Sequence, residues 1–292
     1  LSDDGRQGLT IIAFIGSVFS PYYAWARGRH DSGQVDPLDH CALNVALYGE
    51  SGKRWTLTER GRAGLQRTSD TLSIGPSALS WDGKSLTIRI DEIGVPLPSR
   101  VRGVVRLHPA VFANHPVLLD DKGRHTWQVI APCARVEVEF ERPSMRWSGT
   151  GYLDSNSGDE PLENSFVRWD WSRASVCNGT AVLYDVTRRS GGDFSLALHF
   201  DRSGRAELFV PPTRIALPRS GWQIERNTRA DAGYPARVVK TLEDTPFYAR
   251  SLISTRLLGE HANAVHESLS LDRFRSRWVQ MMLPFRMPRV RR

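Results

Sequence analysis

Cysteine is scarce in this 292-residue chain: Cys41, Cys133 and Cys177 stand far apart, with no Cys-x-x-Cys pair. That argues against a disulfide scaffold or a structural zinc site and points to a reducing compartment. Histidine, aspartate and glutamate show no metal-ligand spacing, so no metal is expected. No glycine-rich phosphate loop precedes a helix, which disfavours a nucleotide-driven enzyme. Lysine is nearly missing too: Lys53, Lys84, Lys122 and Lys240 are the only four among 39 basic residues, against 32 acidic ones. The net charge of +7 is therefore carried almost entirely by arginine. These arginines are spread along the chain without a nucleic-acid-binding motif, so nucleic acid is not an expected partner. The one dense cluster is Arg286-Met-Pro-Arg-Val-Arg-Arg292. It reads either as a solvated terminus or as a patch for anionic lipid headgroups, each charge worth about 1 kcal/mol near the surface.

Long uniform apolar runs are also lacking. Gln7 to Ala26 carries no charge, but Gly8, Gly16, Ser17, Ser20 and Pro21 interrupt it. A spanning helix is more uniformly apolar, and a signal peptide needs a basic start and a small-residue cleavage site. The stretch reads as a buried strand followed by an apolar loop. Ser2-Asp-Asp-Gly5 reads as a hairpin turn, so the first strand of that hairpin is expected to lie ahead of Leu1.

What the chain does have is alternation of period two. Leu86, Ile88 and Ile90 alternate with Thr87, Arg89 and Asp91; Val136, Val138 and Phe140 alternate with Arg135, Glu137 and Glu139. Ala181 to Val186 and Phe194 to Phe200 flank a Gly-Gly turn, and Asp201-Arg-Ser-Gly204 makes the next one. Such spacing predicts antiparallel barrels or sandwiches. One helix is predicted within Ser270 to Met282, capped by Ser270, with Leu271, Phe274, Trp278 and Met281/Met282 at helical intervals. The polar stretch Ser155 to Pro161 is the best candidate boundary. The expected architecture is mainly β, two tandem antiparallel barrels over 1–158 and 159–292 with a short C-terminal helix. A barrel of this size has room for one apolar ligand.

Two short pairs carry candidate chemistry. His125-Thr-Trp127 follows the turn Asp120 to Arg124, and Tyr152-Leu-Asp154 follows Ser148 to Gly151. On strands, residues i and i+2 share a face. Each pair thus projects a polar group and an aromatic together, an inventory suited to acid–base chemistry on an apolar substrate. The plainer alternatives are an Asx turn opened by Asp154 and a satisfied surface histidine at 125. In Arg168-Trp-Asp-Trp-Ser-Arg173, Trp169 and Trp171 share a face while Asp170 points away. That weakens a glycosidase pairing of Asp170 with Glu163. His266-Glu267 and Glu243-Asp244 stand as isolated acid–base candidates. His40, Asn44 and Tyr48 share one face of a strand, either as a second polar shell or as its solvated outside.

Longer motifs carry a family resemblance. Phe14 to Trp25, His40 to Gly49, Thr58 to Arg62, Ile74 to Gly83, Arg168 to Arg173, Thr241 to Arg250 and His266 to Phe274 resemble the carotenoid 1,2-hydratases, also called hydroxyneurosporene synthases, of purple phototrophic bacteria. The resemblance covers nearly the whole chain. It implies a tandem lipocalin-like fold and cofactor-free addition of water across the terminal C1=C2 bond of an acyclic carotene such as neurosporene or lycopene. The family's catalytic histidine, tryptophan, tyrosine and aspartate resemble His125, Trp127, Tyr152 and Asp154 in order and spacing. Protonating an isolated alkene needs a strong acid, yet an ordinary aspartic acid, with a pKa of about 3.9, is ionised at neutrality. Burial must therefore raise Asp154. Trp127 would face the carbocation, a contact worth ~2 kcal/mol when desolvated. Tyr152 would bond Asp154 or add a second π face, and His125 would orient water and take its proton. The substrate is too apolar to diffuse through water, so the protein is expected on the cytoplasmic side of an anionic membrane, bound peripherally. Other carotenoid-pathway enzymes are possible partners. A carotenoid carrier without an acid, or a pericyclase or isomerase that adds nothing, are the competing readings.

Overall fold

Ser2-Asp-Asp-Gly5 does form a turn: the Ser2 hydroxyl donates to Asp4, and the Gly5 amide donates to the Ser2 carbonyl at 2.9 Å. The protein is seen here in a computed structural model that describes residues 1–29, 35–49 and 52–290. Alternation becomes strand along most of the chain. In order, the strands are β1 (Gln7–Ile15), β2 (Cys41–Gly49), β3 (Arg54–Arg60), β4 (Leu65–Arg67), β5 (Thr71–Ile74), β6 (Ser77–Trp81), β7 (Leu86–Ile93) and β8 (Arg100–Pro109). Then come β9 (His115–Leu118), β10 (His125–Arg142), β11 (Met145–Gly158), β12 (Phe166–Val176), β13 (Gly179–Arg188), β14 (Asp193–Phe200) and β15 (Ala206–Leu208). The last six are β16 (Thr213–Leu217), β17 (Arg226–Ala230), β18 (Arg237–Asp244), β19 (Tyr248–Leu257), β20 (Glu260–Ser270) and the two-residue β21 (Arg289–Val290).

The chain divides into two compact units. The first comprises Leu1–Pro109, Ala134–Gly151 and Gln280–Arg292; the second comprises Ala110–Cys133 and Tyr152–Val279. In the first unit β1, β2 and β3 pair antiparallel, and β21 adds to β3 in parallel. Strands β4 to β8 form a meander, continued by the Ala134–Arg142 part of β10 against β8. The core is the expected alternating set: Ile88 and Ile90 with Val136, Val138 and Phe140, joined by Leu43, Val45 and Leu47. In the second unit seven strands run in the order β15-β14-β13-β12-β20-β19-β18. The β16–β17 hairpin lies on one face of this sheet, where the His266 imidazole meets the Asn227 carbonyl at 2.7 Å. Among the described residues each sheet is open rather than a closed ring, and in the largest one β9 branches from β10.

Several local expectations are corrected. Ser155 to Gly158 are the last residues of β11 and not a polar break. The C-terminal helix is two helices. With α1 taken as Pro21–Arg29 and α2 as Leu162–Ser165, they are α3 (Leu271–Phe274), capped by the Ser270 hydroxyl, and α4 (Arg277–Arg286). Leu271 and Phe274 are buried as expected, whereas Trp278, Met281 and Met282 are exposed. The apolar loop after Ser20 is the helix α1: the Ser20 hydroxyl accepts from the Tyr23 amide at 3.0 Å, and Pro21 occupies the first turn. A serine cap followed by proline is a favoured helix start.

His40, Asn44 and Tyr48 are all buried in the first unit and not a solvated outer face. His40 Nδ1 lies 2.8 Å from Glu59 Oε1, and Arg289 bonds Glu59 as well. This part of the basic tail is therefore docked as β21 rather than frayed. Arg291 and Arg292 lie outside the described residues.

Candidate active site

Asp120 builds the entrance to β10. Its carboxylate accepts from the amides of Lys122 at 3.1 Å and His125 at 2.8 Å, and Gly123 completes the turn at φ +65°. The chain then runs out as strand against β9, with Trp127 opposite Val117. His125 and Trp127 point to the same, buried side, at 2% and 0% exposure.

Asp154 is neither in an Asx turn nor at a strand end. It sits inside β11 and is half-buried. Its Oδ2 accepts from the Trp127 indole N–H at 2.8 Å and from the Tyr152 hydroxyl at 3.3 Å. Both donors converge on one oxygen, and no hydrogen bond among the described residues reaches Oδ1. Oδ1 is therefore the oxygen that would carry the proton when Asp154 is the neutral acid. Burial is the largest influence on Asp154 and the nearby Glu267 carboxylate adds to it. The Trp127 and Tyr152 bonds and Arg173 oppose it, and the net effect lifts the pKa to about 6.

Three of the four expected residues thus meet. His125 does not join them through a hydrogen bond. Its ring packs at a tilt, 4.8 Å from Phe166, and so closely against Gly158 that a Cβ there would come within 2.5 Å of Nδ1. Gly158 is four residues past Asp154, roughly 13 Å along an extended strand. Both ring nitrogens of His125 are buried without a hydrogen-bond partner among the described residues. Burial pushes its pKa down, which favours the neutral ring.

The second unit's sheet supplies the rest. Pairing register places Leu196, Tyr184, Trp171, Glu267, Arg250 and Glu243 directly opposite one another across six strands. Directly opposed residues share a face, so this row is one continuous surface. Its aromatic half meets the acid: Trp127 packs 5.4 Å from Tyr184, and Tyr152 packs 5.8 Å from Trp171. Arg173, on the same face of β12 as Trp171, lies 5.3 Å over the Tyr152 ring. The other half is ionic, with Arg250 between Glu267 and Glu243. Asp170 faces the opposite side, as expected, accepting from Ser268 and Asn227.

A pH dependence follows. Asp154 loses its proton as pH rises through about 6, so turnover that depends on that proton should fall about tenfold per pH unit above it. Stability has a definite sign too. The folded-state pKa is raised above the ordinary 3.8, so the folded protein binds this proton more tightly and loses stability between those two values. A pH–rate profile, with unfolding midpoints of the protein and of Asp154→Asn, checks both. A rate that rises from pH 6 to 8 is the contrary result.

A sequence model of the family described as carotenoid hydratase CrtC matches residues 11–292 of this chain. An acyclic carotenoid 1,2-hydratase of Thiocapsa roseopersicina is 63% identical over 291 residues, covering 99% of this chain and 71% of that protein. One from Cereibacter sphaeroides is 45% identical over 280 residues, covering 96% of this chain and 98% of that protein. Among solved structures, the crystal structure of CghA with Sch210972 is similar at a TM-score of 0.49 and 11% identity, over 79% of each chain.

Proposed function

Since the chain belongs to the carotenoid hydratase family, we propose that Asp154 protonates the terminal C1=C2 bond of an acyclic carotene, neurosporene or lycopene, and that water completes the addition. At the coarser level it is a carotenoid 1,2-hydratase, a hydro-lyase. The observation that carries the finer reading is the Asp154 carboxyl, with Oδ2 bonded by Trp127 and Tyr152, beside the Tyr152–Trp171 ring contact.

The proton on Oδ1 goes to C2, the π electrons form the new C–H bond, and the tertiary cation develops at C1. Trp127, Trp171 and Tyr184 offer π faces without a nucleophile, each worth ~2 kcal/mol to a desolvated cation. Trp127 and Tyr152 also stabilise the Asp154 carboxylate left behind, because their bonds to Oδ2 strengthen as it gains charge. Water attacks C1, so the hydroxyl ends on the more substituted carbon. His125, whose ring nitrogens lack a hydrogen-bond partner among the described residues although Nε2 lies 3.8 Å from Glu160, can hold a water at the far end of this strand face. Hydration changes no oxidation state overall and needs no electron carrier. Incubating detergent-solubilised lycopene with the protein in ¹⁸O-water tests the reading. A product heavier by one labelled water supports it; unchanged lycopene indicates a carrier, and an isomer of equal mass indicates rearrangement.

The membrane reading is likewise a proposal. No helix among the described residues is long and apolar enough to cross a bilayer. In the first unit, however, Met281 and Phe285 of α4 are 71% and 78% exposed, and Met282 stands beside them. Exposed apolar side chains grouped on one helix face suit an apolar surface. Arg286 and the arginines after Pro288 follow directly in sequence. Flotation with anionic liposomes should fall severalfold when Met281 and Phe285 are both changed to Glu, and should weaken with salt. Flotation that ignores both changes is the contrary result.

A further inference from the structure

Hydration needs two proton transfers, one to carbon and one from the attacking water. The mechanism above assigns only the first. Facing the acid, the same sheet surface carries a second carboxylate with an open oxygen. Glu267 stands between Trp171 on β12 and Arg250 on β19, directly opposite both. The Trp171 ring packs on Tyr152, whose hydroxyl bonds Asp154. Glu267 and Asp154 therefore look onto one aromatic space, close enough that the Glu267 charge disfavours ionisation of Asp154. Arg250 is 2% exposed and reaches Glu267 through Nε and Nη2 at 2.8 Å, both on Oε1. No hydrogen bond among the described residues reaches Oε2, and Glu267 is only half-buried.

The environments of the two carboxyls differ in kind. Asp154 accepts only from neutral groups, Trp127 and Tyr152, whereas Glu267 is clamped by a guanidinium. A carboxyl held by neutral donors, facing a carboxylate held by a guanidinium, can supply both a proton donor and an acceptor for the proton of water. From this geometry we infer that Glu267 is the general base of the hydration: its Oε2 positions the attacking water and takes its proton. The inference rests on Asp154 as the acid, as argued above.

The bookkeeping closes within the site. Asp154 gives its proton to C2 and becomes the carboxylate. A water lone pair forms the C1–O bond while one O–H bond breaks toward Glu267 Oε2. Glu267 is then the acid and Asp154 the anion, and a proton passed back between them, directly or through water, restores the starting state. Arg250 is a positioning residue here. By holding Oε1 it leaves Oε2 free to meet the reacting water. His125, at the far end of the strand face, is not needed for this transfer.

The test separates the two transfers. Detergent-solubilised lycopene is incubated with the 292-residue chain in D₂O, and two products are read by mass: hydrated carotene, and recovered lycopene carrying deuterium at C2. The second arises when Asp154 deuterates C2, the C1–C2 bond turns, and the carboxylate removes the original C2 proton without water attack. Glu267→Gln is expected to lose hydration by about 100-fold or more, in the range of a general base, while retaining deuterium exchange within about threefold. Retained exchange also shows that the variant is folded. Asp154→Asn is expected to lose both. If Glu267→Gln unfolds the sheet by leaving Arg250 unpaired, Glu267→Asp keeps the charge and withdraws the oxygen by one methylene. The ratio of hydration to exchange should then fall about tenfold. Unchanged hydration in Glu267→Gln, equal loss of both products in a folded Glu267→Gln, or an unchanged ratio in Glu267→Asp overturns the inference. So does exchange without hydration appearing in His125→Phe instead. Failure of the Asp154 reading looks different: Asp154→Asn would keep exchange and hydration together.

Discussion

Asp154→Asn is expected to reduce hydration by a thousandfold or more while leaving the protein folded and able to bind carotene. Asparagine keeps the shape and can still accept from the Trp127 indole and the Tyr152 hydroxyl through its carbonyl oxygen. It cannot deliver a proton to carbon. Losing a general acid typically costs 10²- to 10⁴-fold, and a weakly basic alkene places the loss toward the upper end. No other acid on that strand face stands in for it, since Leu153 and Ser155 project to the opposite side. Asp170→Asn is the matched control, because Asp170 faces the β16–β17 hairpin and bonds Ser268 and Asn227. Turnover per folded molecule should survive that change. Rates and carotene binding measured on both variants decide it; a folded Asp154→Asn protein near the wild-type rate is the contrary outcome.

The second large effect concerns stability. Arg250 is buried between two carboxylates at directly opposed positions, bonded to Glu267 at 2.8 Å and to Glu243 at 3.4 Å. Those carboxylates keep only 23% and 13% of their side-chain surface exposed. Removing the shared cation leaves two poorly solvated negative charges adjacent on one sheet face. Breaking a buried ion pair from one side costs about 3–5 kcal/mol, and Arg250→Met should cost that much. Urea unfolding of the protein and of Arg250→Met at pH 7 measures it. A loss below about 1 kcal/mol would mean that the triad is held chiefly by packing.

How much of this was legible before the structure depends on distance along the chain. The i, i+2 pairs were, because strand faces follow from local alternation alone: Trp127 and Asp154 were already grouped with His125 and Tyr152. That the indole would bond the carboxylate was not, since it depends on how β10 and β11 lie against each other. Tyr184 was passed over, although a signal existed. Counting outward from the Asn178-Gly179 turn, with Val176 opposite Gly179, puts Tyr184 opposite Trp171. Counting outward from Gly259 likewise puts Arg250 opposite Glu267. The pairing of β12 with β20, which brings those two hairpins onto one surface, joins residues almost a hundred positions apart and has no local mark. Glu243 is harder still, because register shifts in β18 defeat the counting. Helix α1 failed for another reason. Its apolar residues were weighed as a run, while the capping serine and the proline that start it were read only as interruptions.

The most direct measurement is the titration of Asp154 itself. With ¹³C-carboxyl aspartate incorporated throughout, the spectrum of the protein minus that of Asp154→Asn isolates one carboxyl signal. The expected result is a resonance that titrates near pH 6, as burial in the aromatic site requires. A resonance that titrates near the ordinary aspartate value of about 3.9 would mean that Asp154 is already ionised at working pH. It could not then be the group that protonates the carotene.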